Sequence, residues 1–290
     1  MTSETYAIVV DSTSDIPVDL KKNYDIFEIP ARIIVDDKEI IDRVEIPRSE
    51  LISLLLNTKK RITTSQAPTG DFYNTFNMAL EKYDRVLFIG VSGSLSGTLQ
   101  NAMLAAKMIG NEKVLCVDSE SVSYGITLLA KYAALRRKMG MELKALIKEL
   151  EEVKKSIRIY FFVESLDYLH RGGRIGFAKT LLGKMLDIKP ILTLENGLIC
   201  PFKSVRGLET GYNSLKDLIK EQSKEYTNYV FVAAYGLENT LFNNVLEQMK
   251  EEFLEDKEFM FEEIGSIILC HVGPGVEAVG IMKLPENMDF

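Results

Sequence analysis

Short apolar runs alternate with amphipathic stretches through the first half of the chain. Tyr6-Ala7-Ile8-Val9-Val10 is β-branched and apolar and predicts a buried strand. Asp11-Ser12-Thr13-Ser14-Asp15 follows, ahead of Ile16-Pro17, and suits a cap or side-chain turn. Phe27–Pro30 and Arg32–Val35 predict extended chain, with a hairpin turn at Asp36-Asp37-Lys38 and Glu39-Ile40-Ile41 returning. Pro47-Arg48-Ser49-Glu50 opens a helix with Leu51, Leu54 and Leu55 as its buried stripe. Ile62–Ser65 reads as extended, and Asp71–Tyr83 as a helix with Phe72, Phe76, Ala79, Leu80 and Tyr83 on one face. Arg85–Gly90 is the next strand. A Gly/Ser loop leads from it to a helix burying Leu99, Ala102, Met103, Ala106 and Ile109, which Gly110 ends. Val114–Asp118 predicts another buried strand, and Ser119–Lys138 and Met141–Lys155 two helices parted at Gly140. Such alternation predicts a parallel sheet covered on both faces.

The rhythm changes after Lys155. Strands are predicted at Arg158–Val163, Lys189–Leu194, Leu198–Phe202, Tyr229–Tyr235, Phe259–Phe261, Ile267–His271 and Val276–Met282. Asn196-Gly197 between two apolar runs is a strong hairpin signal. Helices are predicted at Phe177–Leu186, Gly207–Lys224 and Glu238–Glu252, and Ser165–Gly176 is polar, basic and glycine-containing. The expected fold class is α/β in two domains. Residues 1–155 form a three-layer α/β/α domain with a parallel sheet, and residues 156–290 a two-layer α/β domain with a mixed sheet.

Composition narrows the function classes. A chain of 290 residues that is 46% hydrophobic and 27% charged builds a sizeable core, and its net charge of -7 argues against a general nucleic-acid binder. No segment approaches the ~20 apolar residues of a membrane span. Met1–Thr5 lacks the basic start and apolar continuation of a signal peptide. Cys116, Cys200 and Cys270 are odd in number, far apart and each in an apolar run, which predicts buried reduced thiols in a cytoplasmic protein. No close-spaced Cys or His suggests zinc, and no metal or cofactor is expected.

Two hydroxyl-rich stretches carry the candidate chemistry. Ser92, Ser94, Ser96 and Thr98 lie in the loop before a helix, where free N–H groups and the helix dipole favour an anion. Thr63-Thr64-Ser65-Gln66 precedes another helix. Each has a plainer reading, with Ser96 as an N-cap and Thr64 at a strand end. The first loop is neither a Walker A nor a Gly-x-Gly-x-x-Gly loop, so nucleotides have little support. A serine hydrolase using Ser96 and His271 lacks the Gly-x-Ser-x-Gly elbow. His271 precedes Gly273-Pro274-Gly275 at an expected strand end, and is either a core histidine or part of a site. Arg171 and Arg174, among Gly172, Gly173 and Gly176, form either a solvated basic turn or an anion contact.

Seven pieces in order resemble the DegV family of bacterial proteins over essentially the whole chain: Val9–Pro17, Thr64-Ser65-Gln66, Leu95–Ala102, Val117-Asp118-Ser119, Leu169–Ile175, Lys189–Leu192 and His271–Gly275. The resemblance implies a protein that binds a long-chain fatty acid such as palmitate, its tail buried and its carboxylate hydrogen-bonded by Thr64 and Ser96. Arg174 and His271 rank second near the head group, with His271 assisting phosphoryl transfer. It further implies an acyl-carrying subunit, without turnover of its own, whose fatty acid kinase partner makes an acyl phosphate for lipid metabolism. The fold would resemble the substrate domain of dihydroxyacetone kinases. One departure is local: the family's Thr-Ser-Gln-Pro-Ser-Pro is Thr64-Ser65-Gln66-Ala67-Pro68-Thr69 here. The alternative is a stand-alone enzyme, either a dihydroxyacetone-kinase-like phosphotransferase or the Ser96/His271 hydrolase. The helix faces at Phe72–Tyr83 and Leu99–Ile109 serve equally as tail lining or as ordinary core.

Overall fold

The computed structural model describes residues 4–57, 60–182, 189–254 and 257–290. The chain divides into two compact units, residues 1–155 with Gly265–Ile267, and residues 156–264 with 268–290. The three-residue return to the first unit has no counterpart in a single boundary at Ser156.

The first unit runs β1 (Tyr6–Asp11), α1 (Val18–Tyr24), β2 (Ile26–Ile29), β3 (Arg32–Val35), β4 (Lys38–Ile41), α2 (Arg48–Asn57) and β5 (Ile62–Ser65). It continues through α3 (Thr69–Leu80), β6 (Arg85–Gly90), α4 (Thr98–Ile109), β7 (Val114–Asp118), α5 (Tyr124–Lys138) and α6 (Leu143–Val153). Its main sheet is parallel, in the order β2-β1-β6-β7. Alternate residues face opposite sides. Ala7, Val9, Val86 and Phe88 pack with Phe72, Phe76 and Ala79 of α3 and Ala102, Ala105 and Ala106 of α4. Ile8, Val10, Leu87 and Ile89 are equally buried on the other face, where α5 packs with residues 124–134 all inside. Helices on both faces give the expected three layers.

A small antiparallel sheet in the order β4-β3-β5 is additional. It takes β3 away from β2, although Phe27–Val35 reads in sequence as one extended stretch. Three helical details also differ from the pattern. Met103 is 55% exposed, and Ala105 is buried in its place, because the inward stripe follows Ala102, Ala105 and Ala106 at helical spacing. In α2 the buried pair is Leu51 and Ile52, while Leu54 and Leu55 are half-buried. Residues 119–123 form a loop; Ser123 has a φ of 52°, and α5 begins only at Tyr124.

The second unit contains β8 (Arg158–Val163), α7 (Asp167–Arg171), β9 (Lys189–Glu195), β10 (Leu198–Val205), α8 (Leu208–Ser223) and β11 (Tyr229–Tyr235). Then come α9 (Thr240–Met249), β12 (Phe259–Glu263), α10 (Ser266–Val272), whose first two residues belong with the first unit, and β13 (Val276–Lys283). The sheet order is β10-β9-β8-β13-β11-β12, parallel only between β11 and β12. Asn196 and Gly197 have φ of 51° and 74°, the double positive φ of a tight hairpin, as their sequence demands. Tyr212, Leu215 and Ile219 of α8 and Phe242, Leu246 and Met249 of α9 bury one sheet face around Phe162 and Phe231. Ile267–His271, expected as a strand, is helical in α10, since a short apolar run does not by itself distinguish the two. The helix expected over Phe177–Leu186 is a 3-10 helix over Gly176–Leu181; residues 183–186 lie outside those described.

Candidate functional site

In the all-parallel order β2-β1-β6-β7 the chain builds outward to one side from β1 and to the other from β6, a switch point beyond whose carboxyl strand ends open α/β sheets commonly bind ligands. Asp11, the buried last residue of β1, lies at this switch point. One carboxylate oxygen accepts the Val91 N–H at 3.1 Å; the other accepts the Thr13 N–H at 3.0 Å and the Thr13 hydroxyl. The Ser92 N–H donates to the Ser121 carbonyl at 2.9 Å, and Asp118 accepts the Gly93 and Glu120 N–H groups. The 91–97 loop is therefore held from both sides.

The four hydroxyls of this stretch separate by environment. Ser92 is buried, and its Oγ accepts the Ser94 N–H at 3.2 Å, a structural turn. Ser94 is exposed. Thr98 is buried, and Ser96 is half-buried. Ser96 is not the N-cap of α4. Gly97 holds that position without a side-chain bond, while Ser96 Oγ accepts the Thr98 N–H at 3.2 Å and lies 2.8 Å from Thr98 Oγ1.

Thr64 lies in β5, opposite Ile33 of β3, and is half-buried. Two links bring the chain just after it against the Ser96 loop. Asn101 Nδ2 donates to the Ala67 carbonyl at 2.9 Å. The Gln66 amide lies over Gly97, where a Cβ would come within 2.5 Å of Gln66 Oε1. A side chain at 97 would have to push the Gln66 amide aside; the φ of -76° at Gly97 is ordinary. The two hydroxyl-bearing stretches, far apart in sequence, meet through Gln66 and Ala67, two and three residues after Thr64, and Gly97 and Asn101, one and five residues after Ser96. Asn101→Ala should release this clasp and leave the buried Ala67 carbonyl without its donor. The expected loss is about 1–2 kcal/mol of unfolding free energy in urea titration, from the cost of an unpaired buried polar group.

In the second unit, His271 sits in the last turn of α10 against Gly172, whose Cβ would fall 2.5 Å from His271 Nδ1. Arg174 Nη1 donates to the Gly172 carbonyl at 2.6 Å. Burial, with the Arg174 cation second, pushes His271 down to about 4. A helix C-terminus favours a cation, but burial and Arg174 prevail, so the imidazole is neutral at pH 7. Arg171 instead lies over the Tyr168 ring, 5.1 Å from its centroid. The structure thus groups Arg174 with His271 in one unit, and places Thr64 and Ser96 in the other. For a hydrolase, the Ser96 partner is Thr98, and His271 is too weak a base at neutral pH. Among the described residues no cluster of three His, Cys, Asp or Glu is placed to hold a metal ion. No helix among them is long and apolar enough to cross a membrane, and the three cysteines form no disulfide.

A buried acidic group near this loop system was not singled out in sequence. Asp15 accepts the Ser123 hydroxyl at 2.6 Å, faces the Gly265 N–H, and has Arg43 Nη2 at 3.5 Å. Burial outweighs these partners and pushes Asp15 up to about 7; burial likewise pushes Asp42 up to about 6. A carboxyl raised above its unfolded value stabilises fully below that value and loses its contribution as pH rises through the folded one. Stability should therefore fall between about pH 4 and 7, by up to about 1.4 kcal/mol per pH unit per group. Depressed His271 slopes oppositely, gaining between about 4 and 6.5. The difference between wild type and Asp15→Asn isolates Asp15: urea midpoints measured from pH 4.5 to 7.5 should decline less in the variant. Parallel curves would show Asp15 does not titrate in this range.

The family model "Uncharacterised protein, DegV family" matches residues 5–284. A DegV domain-containing protein of Caldanaerobacter subterraneus subsp. tengcongensis is 32% identical over 278 residues, covering 96% of this chain and 98% of that protein. Among solved structures, a fatty-acid-binding DegV family protein of Thermus thermophilus superposes with a TM-score of 0.91 at 30% identity, covering 97% of this chain and 100% of that one. DegV of Bacillus subtilis, a fatty acid binding protein, gives 0.88 at 27% identity over 97% and 100%.

Proposed function

The chain belongs to the DegV family, and from that premise we propose that it binds a long-chain fatty acid whose carboxylate is held by Thr64 and Ser96. The observation that carries this reading is the clasp of Gln66 and Ala67 onto Gly97 and Asn101. It puts two neutral hydroxyl-bearing segments side by side beyond the carboxyl end of β6 in a parallel sheet, in a chain similar to proteins named for fatty acid binding. Neutral donors suit a carboxylate that must remain reactive, since they orient it without supplying a full countercharge. The tail supplies the affinity: at about 0.8 kcal/mol per CH₂, sixteen carbons are worth roughly 12 kcal/mol gross, reduced by ordering and desolvation.

On this reading the protein presents its ligand's carboxylate to a separate fatty acid kinase subunit for conversion to an acyl phosphate. Arg174 and neutral His271, which pack together through Gly172 in the second unit, keep the second rank that the family resemblance gives them. The three cysteines without a disulfide agree with a cytoplasmic setting. The test is native purification from a bacterial host followed by solvent extraction and lipid mass spectrometry. One fatty acid per chain is expected. Folded protein that carries none, and takes up no added palmitate, would sink the reading.

A further inference from the structure

We propose that Thr98 is a positioning residue that turns the Ser96 hydroxyl into an obligate donor toward an anionic, acceptor-only head group. The inference rests on the fatty-acid reading above and assigns a residue that the reading leaves unused.

A hydroxyl has one proton to give and two lone pairs to fill. Ser96 Oγ already accepts the Thr98 N–H at 3.2 Å, which occupies one lone pair. It lies 2.8 Å from Thr98 Oγ1, a contact in which either hydroxyl can donate. A carboxylate only accepts. Once Ser96 gives its proton to such a ligand, the 2.8 Å contact survives only with Thr98 donating. Both lone pairs of Ser96 are then filled by Thr98, and its proton is left for the ligand. Hydrogen bonds in series polarise one another away from water. The arrangement is held in place: Thr98 is 2% exposed, is the first residue of α4, and follows the glycine pinned under Gln66.

The need for Thr98 differs between head groups. An alcohol carries its own proton, so Ser96 can donate to Thr98 and accept from the ligand instead. Reversing the pair needs only two hydroxyl rotations. Loss of the Thr98 hydroxyl should therefore harm binding of a carboxylate and spare binding of an alcohol.

The experiment compares palmitate and hexadecanol binding by wild type, Thr98→Val, Thr98→Ser, Ser96→Ala and the Ser96→Ala/Thr98→Val double variant, each checked for an unchanged melting temperature. Thr98→Val should weaken palmitate about tenfold, the upper scale of one net hydrogen bond between neutral groups, and leave hexadecanol within about twofold. Thr98→Ser should bind palmitate as wild type does. The double variant should bind it no more weakly than Ser96→Ala alone, because Thr98 acts through Ser96. Equal losses for both ligands would show a purely structural role and overturn the proposal, as would multiplicative losses in the double variant or unchanged palmitate binding by Thr98→Val. If Thr98→Val misfolds, Thr98→Ser decides with the same pair of ligands: selective loss of palmitate by a variant that keeps the hydroxyl would also overturn it. Wild type that binds no palmitate overturns the parent reading, which separates the two failures.

Discussion

Replacing Thr64 and Ser96 together by Ala should lower palmitate affinity about a hundredfold while the protein stays folded. Each hydroxyl is expected to give one hydrogen bond to a carboxylate, worth about 1.5–3 kcal/mol to a charged acceptor. Water entering the truncated site recovers part of that, leaving about 3 kcal/mol for the pair, or two decades in Kd. Each single variant should lose about tenfold. Neither side chain belongs to the packed core of the first unit, and both are half-buried, so the melting temperature should move by only a few degrees. Displacement of a fluorescent fatty acid gives the affinities. A double variant within about threefold of wild type would remove Thr64 and Ser96 from the head-group site, even if the protein still carries a fatty acid.

The largest effect on stability is expected at Phe88. This residue of the interior strand β6 is fully buried, and its ring meets Phe72 edge-on at 5.4 Å and 90° and Phe76 at 5.9 Å and 61°. Phe88→Ala removes the ring shared by both helix-borne aromatics and opens a cavity between the sheet and α3. Such truncations cost about 3–5 kcal/mol. That is a large fraction of the 5–15 kcal/mol that holds a typical domain. The chain contains no tryptophan, so unfolding is best followed by circular dichroism. A loss below about 1 kcal/mol would mean that neighbouring side chains collapse into the gap. Phe88→Leu should lose markedly less, since it keeps most of the volume.

These two sites differ in how readily the sequence discloses them. Phe88 stands in the run Val86–Ile89, and Phe72 and Phe76 are one helical turn apart, so their burial follows from periodicity. The hairpin at Asn196-Gly197 is equally legible, because few dipeptides accept two positive φ values. Residues 267–271 mislead because Ile-Ile-Leu-Cys satisfies a strand and a buried helix alike. Met103 misleads because two stripes, one apolar by composition and one by geometry, overlap on α4. For the candidate site, the surplus of hydroxyls in residues 92–98 is visible in the chain, but their division of labour is not. That division depends on Ser121, Gln66 and Asn101, each brought in by the fold from another segment. Asp15 was hidden for the same reason. Its partners Arg43, Ser123 and Gly265 lie far along the chain.

The return of Gly265–Ile267 to the first unit bears on synthesis. The ribosome completes residues 1–155 roughly 110 residues before it reaches Gly265. At about 5–20 residues per second, that interval lasts roughly 5–20 s, ample for a parallel α/β unit to begin folding. Throughout it, Asp15 has Ser123 and Arg43 but not the Gly265 backbone that later covers it so closely that a Cβ there would lie 2.0 Å from Asp15 Oδ1. The nascent first unit is therefore an unfinished one, lacking the Gly265 backbone over Asp15, and its last piece arrives only after about 110 further residues have been made. A gene fragment ending at Lys155 would encode that unfinished state permanently.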